Sequence, residues 1–424
     1  MKPNAHGRRQ FLREGVALAG LAVGGVRSAS GQVAKAAPEM QLGDLDAYGQ
    51  RSKFVTSARI LGGHMEPFDL TMHLLTPLQD SVGIITPSSL HYVAAHKGFY
   101  VPDINPEQHR LMIHGMVDRP LLFSMADLKR FPFVSRIHYL ECNGNKPRPR
   151  HKTVQEAMGR TSCSEWTGVP LSLLLKEAGV HNGAKWIVAE GVEENKGAMS
   201  IPLAKAMDDC LIAYGQNGEP VRPQQGFPLR LLVPGFEGLY NVKWLRRIKV
   251  VDELYMTYNE FERYTADNME AMDPTSVYRN KNYSLLEVEQ GPKSVITCPS
   301  GGQQLSGRGH YEITGLAWSG GGAVQKVEVS TDGGQNWKLA EIRSAVHRKA
   351  HTRFAMDWNW NEEEAVLMSR CTDELHQVQP TLAEFAKFWN QTTEYIFTHR
   401  RPIHDNFILP WKVDRNGNVR NGLA

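Results

Sequence analysis

Two blocks of short β-rich runs, separated by an irregular polar stretch at 259–282, limit most strongly what this chain can fold into. In the first block, from about 76 to 255, the β-rich runs alternate with loops and a few helices, which indicates a mixed α+β domain. A helix is predicted at 169–178, where Pro170 lies near the first position and Gly179 ends it. β-branched and large apolar residues predict strands at 136–142, 184–190, 229–233 and 246–251.

The second block has the pattern of an all-β domain. Residues 324–330 and 337–340 flank the turn sequence Thr-Asp-Gly-Gly, which predicts a hairpin. Apolar and polar residues alternate with a period of two at 354–360, as in a half-buried strand. We expect an antiparallel sandwich of about 100 residues, followed by a short helix that a capping box at Thr381 opens.

The N-terminus has the layout of an export signal. Arg8 and Arg9 precede Phe-Leu, and a weakly apolar run at 16–26 is followed by small residues. The run is too short to span a bilayer, which takes about 20 residues. Paired arginines in this layout predict a twin-arginine signal peptide over 1–32 and a periplasmic protein exported in the folded state. The alternative is a basic amphipathic helix on a soluble domain.

Charge and cysteine spacing exclude several functional classes. Residues 1–32 hold five basic residues and one acidic residue, so the rest of the chain is close to neutral and has no overall excess of positive charge for nucleic acid. No cysteine lies within three residues of another, which excludes CxxCH haem attachment, CxxC redox pairs and clustered iron–sulfur ligands. We therefore expect no haem in this chain. The five cysteines are Cys142, Cys163, Cys210, Cys298 and Cys371.

The first segment with clear chemical potential is the strand that ends at Cys142 and runs into a turn of Asn, Gly and Pro. Nearby positive charge lowers the pKa of a thiol and favours the thiolate, which is the form that ligates a metal. The same charges could hold an anionic substrate. A buried structural cysteine beside a solvated basic loop is the open alternative. Four basic residues follow within ten positions: Lys146, Arg148, Arg150 and His151.

Two further cations stand in apolar surroundings. Arg230 lies inside an otherwise apolar strand, and Lys243 is flanked by Val, Trp and Leu. Burying an unpaired charge is costly, so each needs an anionic partner, either a carboxylate or a phosphate. His96, as a lone histidine, would more often be structural than a ligand. Walker, Rossmann and HExxH motifs are absent from the sequence.

Taken together, these segments resemble the sulfite oxidase family of molybdenum enzymes over about residues 85–400. The family's ligand loop, a cysteine followed by Ala-Gly-Asn, is similar to residues 142–145. The other matching motifs are Trp-x-Gly at 166–168, Ala-Tyr-x-x-Asn-Gly at 213–218, Gly-Phe-Pro-x-Arg at 226–230, Val-Lys-Trp-Leu at 242–245, and the second-domain segments at 318–322 and 332–337.

The resemblance implies roles for individual residues. Cys142 would be the thiolate ligand of molybdenum, beside the dithiolene of one molybdopterin per chain. His96 would bind the pterin, Arg230 and Lys243 would meet its phosphate, and Tyr264 would be the active-site tyrosine. Two more positions would be cofactor-binding: Tyr92 and Asn145.

The resemblance also implies the domain organisation. The fold class expected is an α+β molybdopterin-binding domain of sulfite oxidase type followed by an all-β immunoglobulin-like sandwich that forms dimers. The expected parts are the signal peptide at 1–32, an N-terminal arm at 33–75, the catalytic domain at 76–258, a connecting segment with Tyr264 at 259–290, the dimerisation domain at 291–400 and a C-terminal arm at 401–424.

Three departures from the family pattern bear on the substrate. Ala94 and Pro147 stand where the family has arginines of the substrate pocket, and Gln225 replaces a histidine. Each lost arginine removes a charge-assisted contact worth on the order of 1.5–3 kcal/mol, so free sulfite would be held poorly. We expect Lys146 and Arg148 to act as catalytic replacements, and Arg150 is a further candidate.

This pattern is most similar to the molybdenum subunits of bacterial Sox sulfane dehydrogenases. Such a subunit would oxidise the sulfane sulfur of a persulfide on a sulfur-carrier protein and pass electrons to a dihaem cytochrome c subunit. A homodimer or a heterotetramer is implied. The alternatives are direct oxidation of sulfite, a molybdenum reductase, and a binding protein that kept the fold and lost the metal.

Overall fold

Three sheets and four short helices form the first block in the part of the chain that the structure describes. In this computed structural model, that part is residues 51–52, 54–62, 65–66, 69–70, 72–95, 101–192, 197–255, 257, 260, 289–398 and 404–424. The first sheet has the order β1-β4-β5, and a separate two-stranded ladder pairs β2 with β3. Their bounds are Ile60–Gly62 (β1), Met65–Glu66 (β2), Asp69–Leu70 (β3), Met72–Leu75 (β4) and Val93–Ala95 (β5).

The second sheet has five strands in the order β11-β10-β15-β6-β7, and only the β15–β6 pair among them is parallel. One face packs on helix α3 around a core that includes Leu111, Leu174 and Ile248. The bounds are Arg110–Gly115 (β6), Leu121–Ser124 (β7), Trp186–Gly191 (β10), Ala198–Pro202 (β11), Leu245–Val251 (β15), Met125–Leu128 (α1), Val154–Met158 (α2), Leu171–Ala178 (α3) and Leu203–Asp208 (α4).

The third sheet positions the candidate site. Its order is β13-β12-β9-β8, and β14 pairs with β12. Strand β8 ends at Glu141, directly before Cys142, and short 3-10 turns at Leu78–Asp80, Pro223–Gln225 and Gly238–Tyr240 lie in the connections of this block. The strand bounds are Val134–Glu141 (β8), Thr161–Pro170 (β9), Leu211–Gln216 (β12), Glu219–Pro220 (β13) and Arg230–Leu232 (β14).

The second block is a pair of antiparallel sheets, in the orders β16-β17-β21-β20 and β19-β18-β22-β23-β24. They share one core, with Val295, Ile313, Val327, Phe354 and Leu367 inside. The bounds are Lys293–Cys298 (β16), Gly309–Trp318 (β17), Val324–Ser330 (β18), Lys338–Leu339 (β19), Glu341–Ile342 (β20), Thr352–Trp360 (β21), Ala365–Asp373 (β22), Leu382–Phe388 (α5), Thr393–Thr398 (α6), Trp411–Val413 (β23) and Val419–Asn421 (β24).

These elements confirm the expected α+β domain followed by an all-β sandwich. The helix predicted at 169–178 begins at Leu171, with Pro170 as its N-cap and Gly179 in the left-handed conformation at its end. The predicted capping box at Thr381 is present, since its hydroxyl accepts from the backbone N–H of Glu384. At the C-terminus the outcome differs from the expected arm, because β23 and β24 extend the second sheet of the sandwich.

Among the described residues, no helix has the length and apolar character needed to cross a membrane.

The two blocks share a buried charged network as well as an apolar core. Glu141 Oε1 accepts from Lys293 Nζ at 2.7 Å, and Oε2 accepts from Trp318 Nε1 at 2.7 Å and from His404 Nε2 at 3.0 Å. Glu141 and Lys293 are both fully buried. Burial alone would raise the pKa of Glu141, but Lys293 and His404 outweigh it and hold the pKa well below its usual range. The carboxylate therefore stabilises the fold at neutral pH, and this contribution is lost as the pH falls below the usual pKa of about 4.

Replacing Lys293 with methionine is expected to lower the free energy of unfolding by about 3–5 kcal/mol, because the carboxylate of Glu141 then stays buried without its cation. Lys326→Met is the matched control. It removes a half-exposed partner of Glu328 and should cost no more than about 1 kcal/mol. Urea unfolding of the two variants measures the difference. Equal losses would show that the pair does not hold the two blocks together.

Candidate active site

A cavity opens beside the end of β8. Its wall brings together four of the predicted site residues, which are Cys142, Arg230, Lys243 and Tyr92. These residues come from four separate segments of the first block, so the fold, and not their spacing in the chain, makes them neighbours. Two other predicted residues, His96 and Tyr264, lie outside the described residues.

Cys142 lies at the start of the loop that follows β8 and is buried, with 9% of its surface exposed. Its Sγ accepts a hydrogen bond from the backbone N–H of Gly144 at 3.4 Å. Burial raises the pKa of the thiol, while the Gly144 N–H and the guanidinium of Arg160 act in the opposite direction. The expectation that the basic loop lowers this pKa is therefore wrong for the chain without a metal, because desolvation dominates.

Lys146 and Arg148 do not line the cavity. Both face Asp405, which is fully buried, at 3.5 Å for Lys146 Nζ to Oδ1 and 3.1 Å for Arg148 Nη1 to Oδ2. A buried carboxylate needs such cations as partners, so the structure gives both residues this pairing, and their role as replacements for the missing substrate arginines stays a prediction. They join the ligand loop to the C-terminal part of the chain.

Asn145 likewise does not line the cavity. It is 1% exposed, its Nδ2 donates to Glu141 Oε1 at 2.7 Å, and its Oδ1 accepts from the backbone N–H of Arg160 at 3.0 Å. The structure gives this side chain a structural role, and its predicted cofactor contact stays a prediction. The side chain ties the turn after Cys142 to the charged network below it.

Arg230 is a buried cation on the cavity wall. It is 3% exposed, donates to the carbonyls of Gln225 at 2.9 Å and Asn241 at 3.0 Å, and lies over the ring of Trp166 at 4.9 Å. Burial lowers the pKa of Arg230 to about 10. In the described part of the chain its Nε has no hydrogen-bond partner and no carboxylate lies within ion-pair distance, so the cavity contains a buried charge that an anion would offset.

Lys243 and Gln225 complete this side of the cavity. Lys243 Nζ donates to the carbonyls of Ala94 at 3.2 Å and Gln224 at 3.4 Å. Gln225 stands where the family has histidine. Its side chain donates to the carbonyl of Tyr92 at 2.7 Å, and its own backbone carbonyl accepts from Arg230. Ala94, at a position of a family arginine, also lines the cavity and leaves space there.

Arg160 is a neighbour of Cys142 that sequence reasoning missed. A β-carbon built on Gly144 would lie 3.7 Å from Cys142 Sγ and 3.8 Å from Arg160 Nε, so both side chains lie next to this glycine. Arg160 follows Gly159 just after α2, and basic residues are common near helix ends, so no local signal marks it. Only the fold places its charge beside the thiol.

The site fits the molybdenum–pterin cofactor that the resemblance implies. Within the described residues, no group of three or more His, Cys, Asp or Glu side chains could hold a metal ion. Cys142 presents one thiol to the cavity as a candidate ligand. Arg230 supplies a buried cation with an open Nε for a phosphate. At Gly238, a β-carbon would lie 2.8 Å from Tyr92 Oη and 3.1 Å from the Glu141 carbonyl, so this wall admits no side chain.

Comparison with known families agrees with this geometry. The family described as "Oxidoreductase molybdopterin binding domain" matches residues 98–259, and "Mo-co oxidoreductase dimerisation domain" matches residues 286–404. The two matches cover the first and the second block of the fold, respectively.

Individual relatives support the same assignment. The chain is 34% identical over 330 residues to an NADH nitrate reductase of Cichorium intybus and 31% identical over 334 residues to the mitochondrial sulfite oxidase of Rattus norvegicus. These matches cover 71% and 72% of this chain, but only 35% and 59% of the two relatives.

A solved structure matches nearly end to end. The crystal structure of the sulfane dehydrogenase SoxCD from Paracoccus pantotrophus contains a chain that is 33% identical, with a TM-score of 0.81, and the match covers 94% of this chain and 99% of that one. The chain therefore belongs to the sulfite oxidase family of molybdopterin-dependent oxidoreductases.

Proposed function

We propose that this protein is a molybdenum–pterin oxidoreductase that oxidises the sulfane sulfur of a persulfide held on a carrier protein. The observation that carries the proposal is the position of the Cys142 thiol on the wall of a cavity that also holds the buried cation Arg230. When bound, the cofactor supplies two-electron oxidation of sulfur with an oxygen atom from water. The likeness to a solved sulfane dehydrogenase supports the choice of substrate class.

The chain's own residues would bind and orient the reactants. Cys142 would ligate the metal as a thiolate, and both the Gly144 N–H and Arg160 favour that charged form. Arg230 and Lys243 would hold the phosphate of the pterin, and Tyr92 would line its binding cavity. His96 and Tyr264 keep their proposed roles in pterin binding and at the reacting sulfur.

The substrate proposal depends on what the cavity lacks. Ala94 lines it without a charge, and Pro147 is buried in the ligand loop. A small oxyanion would miss both guanidinium contacts. A carrier protein brings binding energy from contacts away from the reacting sulfur, so it needs these arginines less.

Partners and location follow from the same resemblance. We propose that a dihaem cytochrome c subunit accepts the electrons and that the second block forms an oligomer, as the name of its matching family suggests. The paired Arg8 and Arg9 support export to the periplasm in the folded state.

Direct oxidation of sulfite is the second candidate. The match to rat sulfite oxidase and the cation of Arg160 beside Cys142 both favour it. A reductase activity is third, because nitrate reductases are among the relatives. A metal-free binding protein remains the candidate from a different class.

Replacing Cys142 with serine is expected to abolish turnover while the chain stays folded, because the hydroxyl is a far weaker metal ligand than a thiolate. Cys298→Ser, which changes an exposed cysteine of the second block, is the control and should keep full activity. Elemental analysis of molybdenum and circular dichroism accompany the assay. Ordinary activity in Cys142→Ser, or wild-type protein without molybdenum from a replete host, would overturn the proposal.

Replacing Arg230 with methionine is expected to lower the bound pterin content about tenfold or more, since a charge-assisted contact to phosphate is lost. The cofactor-free chain should keep its stability, because the change removes a buried charge that has no carboxylate partner among the described residues. Arg353→Met removes a half-buried arginine that donates to the carbonyls of Ser81 and Gly83, and it should leave pterin content unchanged. Pterin fluorescence after release and thermal unfolding measure both effects. Unchanged pterin content in Arg230→Met would remove Arg230 from the cofactor site.

The wild-type enzyme is expected to turn over a persulfidated carrier with a kcat/KM about tenfold or more above that for sulfite, because two arginine contacts are missing. Ala94→Arg should lower the KM for sulfite about tenfold, whereas Ala94→Met, similar in bulk but uncharged, should not. Steady-state assays with cytochrome c as acceptor test both statements. Faster turnover of sulfite than of the carrier in the wild type would establish a sulfite dehydrogenase instead.

A further inference from the structure

Arg160 carries a charge that has no acidic partner in the part of the chain that the structure describes. Its Nη1 donates to the carbonyl of Gly144 at 3.0 Å, while its buried Nε has no hydrogen-bond partner in that part. Among the described residues, no carboxylate lies within ion-pair distance of the guanidinium. Burying a lone charge costs free energy, so the unpaired guanidinium destabilises the folded state unless an anion binds to it.

The surroundings add positive charge. Burial lowers the pKa of Arg160, the Cys142 thiol acts in the opposite direction, and Arg150 and Arg148 lower it further. Burial also lowers the pKa of His151, to about 3, with smaller contributions from Arg150, Arg160 and Arg148. Asp405 pairs with Arg148 at 3.1 Å and so offsets the charge of that arginine. The potential beside Arg160 is therefore positive, which favours an anionic ligand over a neutral one.

The position of Arg160 relative to Cys142 defines what this ligand could be. Both side chains lie next to Gly144, yet Arg160 is outside the set of described residues that line the cavity with Arg230 and Lys243. Arg160 is half-buried, so part of the side chain is reached by solvent. Cys142 thus has a second cationic neighbour, apart from the residues proposed to hold the pterin phosphate.

We propose that Arg160 binds the anionic sulfur group of the substrate beside Cys142, as a single guanidinium contact that makes up for part of what is missing at Ala94 and Pro147. The inference rests on the proposed function and adds a residue that determines substrate affinity. The ligand class is a persulfide anion or a sulfur oxyanion, since Arg's planar fork suits both. A carrier-bound and a free substrate would use the same contact.

The test uses the purified holoprotein and sulfate as the probe. Arg160→Gln is expected to raise the Kd for sulfate about tenfold or more, and Arg160→Lys should recover part of the loss. Calorimetry gives the Kd, and inhibition by sulfate gives an independent constant. Arg353→Gln, which removes a half-buried arginine bonded to Ser81 and Gly83, is the matched control and should bind sulfate like the wild type.

Steady-state assays distinguish substrate binding from a merely structural role. In Arg160→Gln the KM for sulfite and for the persulfidated carrier should rise, with molybdenum content unchanged. A fall in molybdenum content with an unaltered sulfate Kd would show that Arg160 only braces Gly144, and the proposal would be wrong. Wild-type protein that binds no sulfate would overturn it as well.

The result also separates this inference from the proposed function. If the protein contains no molybdenum, the proposed function fails, but the sulfate affinities of wild type and Arg160→Gln still decide whether an anion site exists. If molybdenum and sulfur oxidation are present while Arg160→Gln keeps its sulfate affinity and KM, only the Arg160 site is refuted. In Arg160→Gln, a rise in KM for sulfite alone would show that Arg160 binds the free oxyanion. A rise in KM for sulfite and for the carrier would show that it binds the sulfur group that the two substrates share.

Discussion

The buried carboxylate of Glu141 is the interaction on which the rest of the structure depends. It accepts from Lys293, Asn145, Trp318 and His404, three of which belong to the second block or the chain after it. Removing a carboxylate from water is so costly that each donor must stay in place for the charge to be tolerated. The residue after Glu141 in the chain is Cys142, so the geometry of the candidate metal ligand is set by a network that reaches across both blocks.

The same network extends into the loop that follows. Lys293 Nζ also donates to the carbonyl of Asn145 at 2.9 Å, and the Asn145 side chain accepts from the backbone of Arg160. Cys142, Asn145 and Arg160 are thereby fixed relative to one another by a lysine of the second block. The domain that matches a dimerisation family consequently also positions the residues of the candidate active site. A substitution at its inner surface would therefore change the position of the Cys142 thiol.

Local sequence patterns were sufficient to predict the features that depend on a residue's neighbours in the chain. The strand that ends at Cys142 and the arginine inside the apolar run at 230–232 could be found in this way, as could the two-block architecture. The roles of Lys146 and Arg148 could not, because their partner Asp405 is more than 250 residues away. Arg160 was missed for the same reason, since only the fold places it beside Gly144 and Cys142.

The charges around Cys142 explain how a buried site can attract two anions. The negative charge of Glu141 is matched by Lys293, and burial raises the pKa of Glu237 to about 8 despite the hydrogen bond that it accepts from Asn143. The raised pKa of Glu237 reduces the negative charge that this carboxyl carries near the thiol at neutral pH. The cations Arg230 and Arg160 remain in excess near the thiol, one in the cavity and one across Gly144. Such an excess destabilises the unliganded site and favours the state in which both an anionic cofactor and an anionic sulfur group are bound.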